Sequence, residues 1–112
     1  FEDLLFDSEK STLKASTAKQ VENTVAILKA YPAVKVKLGG YTDNTGDSLA
    51  NVKLSESRAK TVHAQMISKG LTAASFDAKP YEGYGPQHPV ADNATPEGKA
   101  QNRRISISVR AK

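Results

Sequence analysis

The residues best suited to bind a charged ligand lie where a polar loop leads into a helix. Asp43 stands in a loop over residues 42–47, and Asn51, Leu54 and Arg58 follow at helical spacing. Steps of three and four put Asn51, Leu54 and Arg58 on one helical face. Because seven residues span about 10 Å of helix, the long Arg58 side chain can reach back towards the loop.

A carboxylate, an amide and a guanidinium in this arrangement suit a zwitterionic ligand. Asp43 would pair with an ammonium group, and Arg58 would hold a carboxylate through two parallel hydrogen bonds. The N–H groups at the start of the helix would also favour an anion. The plainer alternative is that Asp43 and Arg58 pair with each other or cap the helix, and spacing alone favours that alternative.

A second candidate is Asn102-Arg103-Arg104, directly before the last predicted strand. Two adjacent arginines could hold a carboxylate or a phosphate. Alternatively, they begin a strand in solvent, or Arg103 pairs with a nearby acid. Period-two counting puts Arg103 on the same strand face as Ile105, which favours a buried pair or a site role for Arg103 over Arg104.

Sequence patterns for catalysis and metal binding are missing. The chain has two histidines and no cysteine, so it offers no histidine or thiolate cluster at ligand spacing. No serine lies in a G-x-S-x-G turn, and no pair of carboxylates stands out for glycoside hydrolysis. We therefore expect no catalytic residue, no metal and no cofactor.

Composition limits the remaining classes of function. The chain has 112 residues and a formal net charge of +4, but its lysines are spread along the whole length and do not indicate nucleic acid by themselves. No apolar run approaches the ~20 residues that cross a bilayer. Because the chain opens on Phe1 without a starting Met or a leader, we expect a C-terminal fragment of a longer protein.

Hydrophobic periodicity predicts the elements that position the candidate residues. Apolar positions at steps of three and four predict helices near 11–30 and 48–69, the second beginning at Asp47 or Ser48 and closed by Gly70. Alternation predicts strands near 34–39, 76–84 and 104–110, preceded by a short apolar segment at the N-terminus. A long irregular loop is predicted from Gly83 to Gly98, before the last strand.

These elements predict an α+β fold. The order is strand, helix, strand, helix, strand, loop, strand, or βαβαββ. Two main helices on one face of a mixed β-sheet form a two-layer sandwich, which is the economical packing for this order. We expect one domain over 1–112.

Four ordered motifs resemble the OmpA-like C-terminal domain family. Residues 40–46 are similar to its G-[HY]-T-D-x-x-G loop, and 51–59 to its N-x-x-L-S-x-x-R-A helix start. Residues 83–98 follow its G-x-G-x-x-x-P-x-x-x-N-x-T-x-x-G loop, and 102–105 its N-R-R-[VI] strand start. Phe6-Asp7 also fits, so the resemblance covers essentially the whole chain. Lys99 departs from the pattern, because an arginine is frequent at this position.

The resemblance implies a non-enzymatic module that binds the peptidoglycan stem peptide, chiefly its diaminopimelate. It implies that Asp43 and Arg58 hold the ammonium and carboxylate at the free end of that residue, which overturns the preference for a simple ion pair. Further residues are implied to line, close or support the same pocket: Thr45, Asn51, Leu54, Arg103 and the backbone of Asn44 and Gly46.

The resemblance also implies a place in the cell. We expect the domain in the periplasm, anchoring an envelope protein that a segment outside this chain attaches to the outer membrane, and a homodimer is one option. Two other functions are weighed. A basic nucleic-acid-binding module would need clustered cations and steep salt dependence. An enzyme acting on the cell wall would need a paired-carboxylate or metal centre.

Overall fold

A mixed β-sheet forms one layer of the molecule, and helices form the other. The structure is a computed structural model that describes residues 4–5, 15–87 and 89–111. Its elements in chain order are β1 (Leu4–Leu5), α1 (Ala15–Ala30), β2 (Lys35–Tyr41), α2 (Ser48–Ser68), a short 3₁₀ turn (Ala73–Ser75), β3 (Phe76–Gly85), α3 (Pro96–Asn102) and β4 (Arg104–Ala111).

Within the described ranges, the sheet has the strand order β1-β4-β2-β3. Strand β2 is parallel to β3 and antiparallel to β4, and β1 is antiparallel to β4. Gly40 of β2 lies opposite Gly83 of β3 on one side and Ile105 of β4 on the other. The α+β sandwich with a mixed sheet is therefore confirmed.

The hydrophobic core lies between the helices and one face of the sheet. The apolar stripes of α1 and α2 supply its helical side, and alternate residues of β2 and β4 supply the other; its fully or almost fully buried members include Val21, Leu28, Val36, Leu38, Ala59, Val62, Met66 and Ile105. The residues that the predicted periods put on one face are thus the ones buried in the core, because alternate strand residues and every third or fourth helical residue share a face.

The opposite sheet face is polar and aromatic. Tyr41 and Tyr84 stack with ring centroids 5.2 Å apart. Lys37 Nζ donates to Glu82 Oε1 at 2.8 Å, and this hydrogen bond raises the pKa of Lys37 and lowers the pKa of Glu82. Lys37 is buried on this face, because the Glu82 carboxylate compensates its desolvation.

Helix boundaries follow local capping. Asp47 is the N-cap of α2, where its Oδ2 accepts from Ala50 N at 2.9 Å, and Gly70 follows the helix with a φ of +108°. Both boundaries were predicted. The first helix is described from Ala15 onwards, so its predicted start over 11–14 lies outside the described residues.

One helix was missed by the sequence interpretation. Residues 96–102 form α3, which begins inside the segment from Gly83 to Gly98 that was predicted to be an irregular loop. Thr95 caps it by accepting from Gly98 N at 3.0 Å, and Pro96 occupies the first turn. A threonine followed by proline is a recognised helix start, but seven residues are too few for hydrophobic periodicity to show.

Helix α2 lies in direct contact with the backbone of β2 and β3. A Cβ atom at Gly40 would stand 2.1 Å from the carbonyl oxygen of Ser55, and one at Gly83 would stand 2.5 Å from the backbone N of Glu56. Ser55 Oγ also accepts from Gly85 N at 3.0 Å. Only glycine permits so close an approach, which places the first half of α2 directly over the ends of β2 and β3.

We predict that Gly40→Ala destabilises the domain by about 1–3 kcal/mol, because the new methyl group meets helix backbone that cannot move aside. Gly39→Ala is the matched control: its Cβ would meet only the rings of Tyr84 and Tyr41, at 3.1 and 3.2 Å. Urea unfolding of both variants is the measurement. A Gly40→Ala protein no less stable than Gly39→Ala would contradict the prediction.

A second prediction concerns His63 of α2, whose ring contacts Phe76 with centroids 4.7 Å apart. Burial lowers the pKa of His63 below its ordinary value of 6.5. The unfolded chain therefore takes up a proton first as the pH falls. The free energy of unfolding should decrease between pH 6.5 and the lowered pKa of the folded state.

The measurement is urea unfolding across that pH range for the parent and for His63→Phe. At pH values above the range where carboxylates titrate, the free energy of unfolding of the variant should depend less on pH than that of the parent. Identical slopes in the two proteins would contradict a destabilising protonation of His63.

Candidate functional site

The predicted site residues converge at the end of β2. A pocket of about 180 Å³ opens between the 42–47 loop and the first half of α2. Seven of the eight predicted residues line it: Asp43, Thr45, Gly46, Asn51, Leu54, Arg58 and Arg103. Asn44 is exposed and is not among the lining residues, whereas Thr42, Asp47 and Ala50 line the pocket without having been predicted.

Asp43 is buried and held by two donors. Its Oδ1 accepts from Thr45 N at 2.9 Å, and its Oδ2 accepts from Arg103 Nη1 at 2.8 Å. Burial by itself raises the pKa of Asp43, but the hydrogen bonds from Thr45 and Arg103 outweigh it and lower the pKa below its ordinary value. Asp43 is therefore a carboxylate at neutral pH.

Arg58 is fully buried, with no exposed surface, and Asp43 is only 5% exposed. The sequence predicts both side chains at a loop or helix surface, because neither belongs to a core stripe, and this prediction is wrong. The close packing of α2 on the sheet encloses the Arg58 position, which spacing along one helix could not reveal. A substitution of Arg58 therefore acts on a buried residue, and its effect on folding must be measured separately.

Asn51 and Thr45 connect the helix to the loop. Asn51 Nδ2 donates to the Thr45 carbonyl oxygen at 2.7 Å, which ties the loop to the first turn of α2. Gly46 permits the turn between them with a φ of +83°, and a Cβ there would meet nothing within 4 Å. The Asn51 amide and the turn at Gly46 thus help to set the geometry of the loop.

Arg103 and Arg104 separate onto different surfaces. Arg103 lies before β4 and forms an ion pair with Asp43 at 2.8 Å. The structure therefore has the alternative in which Arg103 pairs with a nearby acid. Arg104 begins β4, with its guanidinium carbon 4.0 Å from the Tyr41 ring centroid. Since Arg103 lines the pocket and Arg104 is not among its lining residues, the geometry distinguishes two arginines that the sequence left nearly equivalent.

Asn102 has a structural position that the sequence interpretation missed. It is fully buried. Its Oδ1 accepts from Val90 N and Ala91 N at 2.8 and 3.0 Å, and its Nδ2 donates to the Ala91 carbonyl and to Asn93 Oδ1. An amide can satisfy backbone donors and acceptors together. Asn102 therefore holds the loop before α3, although nothing in the sequence distinguished it from a ligand-binding asparagine.

Lys99 was noted in the sequence only as a replacement of a frequent arginine. Its Nζ donates to Thr45 Oγ1 at 3.0 Å, which links α3 to the pocket loop.

In the described part of the chain, no group of three or more His, Cys, Asp or Glu side chains could hold a metal ion. Across the same residues, no helix combines the length and the apolar character needed to span a membrane.

The OmpA family model matches residues 5–103. The chain is 41% identical over 104 residues to the probable lipoprotein YiaD of Escherichia coli, covering 93% of this chain and 46% of that protein. It is 39% identical over 109 residues to outer membrane porin F of Pseudomonas fluorescens, covering 97% and 32%. It is 37% identical over 106 residues to the peptidoglycan-binding protein ArfA of Mycobacterium tuberculosis, covering 95% and 32%.

The chain thus spans between about a third and a half of the length of these relatives. In three dimensions it is similar to the crystal structure of the C-terminal domain of Helicobacter pylori MotB, with a TM-score of 0.89 at 21% identity. That alignment covers 100% of this chain and 86% of the crystallised one, and it shows a shared fold.

We predict that Arg103→Met raises the pKa of Asp43. In the variant, the hydrogen bonds from Thr45 would still lower the pKa of Asp43 against the effect of burial, but the Arg103 charge would no longer contribute. A carboxyl group whose pKa is lower in the folded protein than in the unfolded chain stabilises the fold at pH values above the unfolded-state pKa. This contribution disappears as the pH falls through the folded-state pKa. The variant should therefore gain less stability from ionised Asp43. Carboxyl-carbon NMR titration of Asp43 checks this, and an unchanged midpoint would contradict it.

Proposed function

The chain belongs to the OmpA family, and we propose that it is a peptidoglycan-binding module that anchors a longer envelope protein to the cell wall. The OmpA family is one of binding domains and not of enzymes. The names of the relatives support the proposal, because one is a peptidoglycan-binding protein, one an outer membrane porin and one a probable lipoprotein. We place this domain in the periplasm, attached to the outer membrane through the rest of its parent protein.

The observation that carries the proposal is the convergence of Asp43 and Arg58 in one pocket. The two oppositely charged residues line a space of about 180 Å³, which suits a single amino-acid head group. Both are buried, so each interaction with a ligand is formed with little competition from water. A ligand with an ammonium and a carboxylate on one carbon would satisfy both residues.

Asp43 retains the capacity to bind such an ammonium in addition to its present partners. Each carboxylate oxygen can accept about two hydrogen bonds. In the structure, Oδ1 accepts from Thr45 N and Oδ2 accepts from Arg103. The ligand ammonium would share the Asp43 carboxylate with Arg103, and Arg58 would hold the ligand carboxylate through its planar fork.

In a cell wall, the zwitterion that matches this site is the free end of diaminopimelate in the stem peptide. It carries an ammonium and a carboxylate on the same carbon at the end of a flexible side chain. Lysine at the same position carries the ammonium alone. We therefore propose that Asp43 recognises both types of stem peptide and that Arg58 distinguishes diaminopimelate from lysine.

We predict that Asp43→Ala and Arg58→Ala each weaken binding of a diaminopimelate tetrapeptide by at least ~30-fold, and that Asp43→Asn and Arg58→Lys also weaken it. Loss of one partner of a desolvated charge pair costs about 2–5 kcal/mol, and each ~1.4 kcal/mol is one decade in affinity. Combined, the two losses should be less than additive, because both residues hold one small group. Calorimetric titration is the measurement, with circular dichroism of each variant as the test of folding.

The matched controls are Asp77→Asn and Arg110→Lys, which alter residues outside the pocket and should bind like the parent. The lysine tetrapeptide should bind more weakly than the diaminopimelate peptide, and Arg58→Lys should change its affinity little. If Arg58→Lys fails to fold, Asp43→Asn and the two-peptide comparison still decide. Equal affinity of the parent for both peptides would refute the role of Arg58.

A further inference from the structure

A second cleft adjoins the zwitterion pocket. It has a volume of about 390 Å³ and is lined by Asp43, Thr45, Ala94, Thr95, Pro96, Lys99 and Arg103. Three of these residues, Asp43, Thr45 and Arg103, also line the zwitterion pocket. The two spaces therefore share the wall formed by Asp43, Thr45 and Arg103, and a ligand that extends past these residues would reach both.

The charge of this second cleft is opposite to that of an anionic ligand. Among the described residues of its lining, Lys99 and Arg103 contribute two cations and Asp43 contributes the one carboxylate. Asp43 is already engaged by Arg103 at 2.8 Å. Among the described residues, no carboxylate lies within ion-pair distance of Lys99 Nζ, whose hydrogen bond goes to the hydroxyl of Thr45 at 3.0 Å. The ammonium of Lys99 is thus the uncompensated charge of the cleft.

The acids nearest in sequence do not change this balance. Asp92 is exposed and its Oδ1 accepts from Ala94 N at 2.8 Å, and Glu97 in the first turn of α3 is exposed. Neither lines the cleft. The Lys99 ammonium is held over the cleft by Thr45, a residue of the zwitterion pocket, so an anion bound there would lie beside the Asp43–Arg103 pair.

We propose that this cleft is a subsite for a second carboxylate of the same peptide, held by Lys99 and Arg103; the proposal rests on the function proposed above. A stem peptide of alanine, γ-linked glutamate, diaminopimelate and alanine carries two further carboxylates. One is the α-carboxylate of the γ-linked glutamate, and the other is the C-terminal carboxylate. Both lie within one residue of diaminopimelate, a distance of about 3.5 Å of backbone plus a side chain.

The experiment compares four tetrapeptides that all keep the diaminopimelate zwitterion. The first has both further carboxylates, the second and third have one of them amidated, and the fourth has both amidated. Each is titrated calorimetrically into the parent, Lys99→Met and Lys99→Arg. Lys60→Met, an exposed lysine of α2 outside both pockets, controls for the change in net charge.

Lys99→Met should weaken binding of the unmodified peptide about five-fold, as expected for ~1 kcal/mol from a partly exposed charge pair. Binding of the doubly amidated peptide should not change on this substitution. Lys99→Arg should bind the unmodified peptide like the parent, because it keeps the charge. The singly amidated peptides then identify the carboxylate, since the one whose amidation removes the effect of Lys99→Met is the ligand of the subsite.

Two outcomes overturn the subsite. One is a Lys99→Met protein that binds the unmodified peptide as well as the parent, and the other is an equal loss for the unmodified and doubly amidated peptides. The second would mean that Lys99 acts only by positioning Thr45. A parent protein that binds none of the four peptides would instead refute the proposed function itself, so the two failures are distinguishable.

Discussion

The close approach of α2 to the backbone of β2 and β3 is the constraint on which the site depends. Gly40 and Gly83 allow Ser55 and Glu56 to lie where side chains would otherwise stand. The first half of α2 is consequently held over the strand end from which the 42–47 loop emerges. Residues Leu54 and Arg58 then face Asp43 across a small space, although they are separated from it by more than ten positions in sequence.

Burial of charge is the second organising feature. Desolvating Asp43 opposes its ionisation, and the hydrogen bonds from Thr45 and Arg103 reverse that effect. Buried ion pairs are weak sources of stability, because the desolvation cost offsets much of their attraction. Asp43, Arg58 and Arg103 around one pocket are therefore weak sources of net stability, and this is consistent with the proposal that the pocket binds a zwitterion.

Most of the architecture was predictable because it depends on local pattern. Alternation in β2 and β4 and the three- and four-residue steps of α2 follow from which face is buried, and capping by Asp47 follows from its own side chain. Helix α3 was missed, since seven residues under one cap carry too little periodic signal. The roles of Asn102 and Lys99 were missed because their partners, Ala91 and Thr45, are distant in sequence or belong to the backbone.

The sequence by itself determined the two long helices, the strands, their order and seven of the residues that line the pocket at the strand end. Periodicity and capping are properties of neighbouring residues, and the family motifs retain the spacing of the site. Only the tertiary structure decided which charges are buried and which of them pair. It shows Arg58 enclosed, Arg103 bound to Asp43, and Arg104 placed against Tyr41 on the opposite sheet face. Those outcomes depend on strand register and on the distance between helix and sheet, because desolvation and ion pairing are set by all the surrounding atoms.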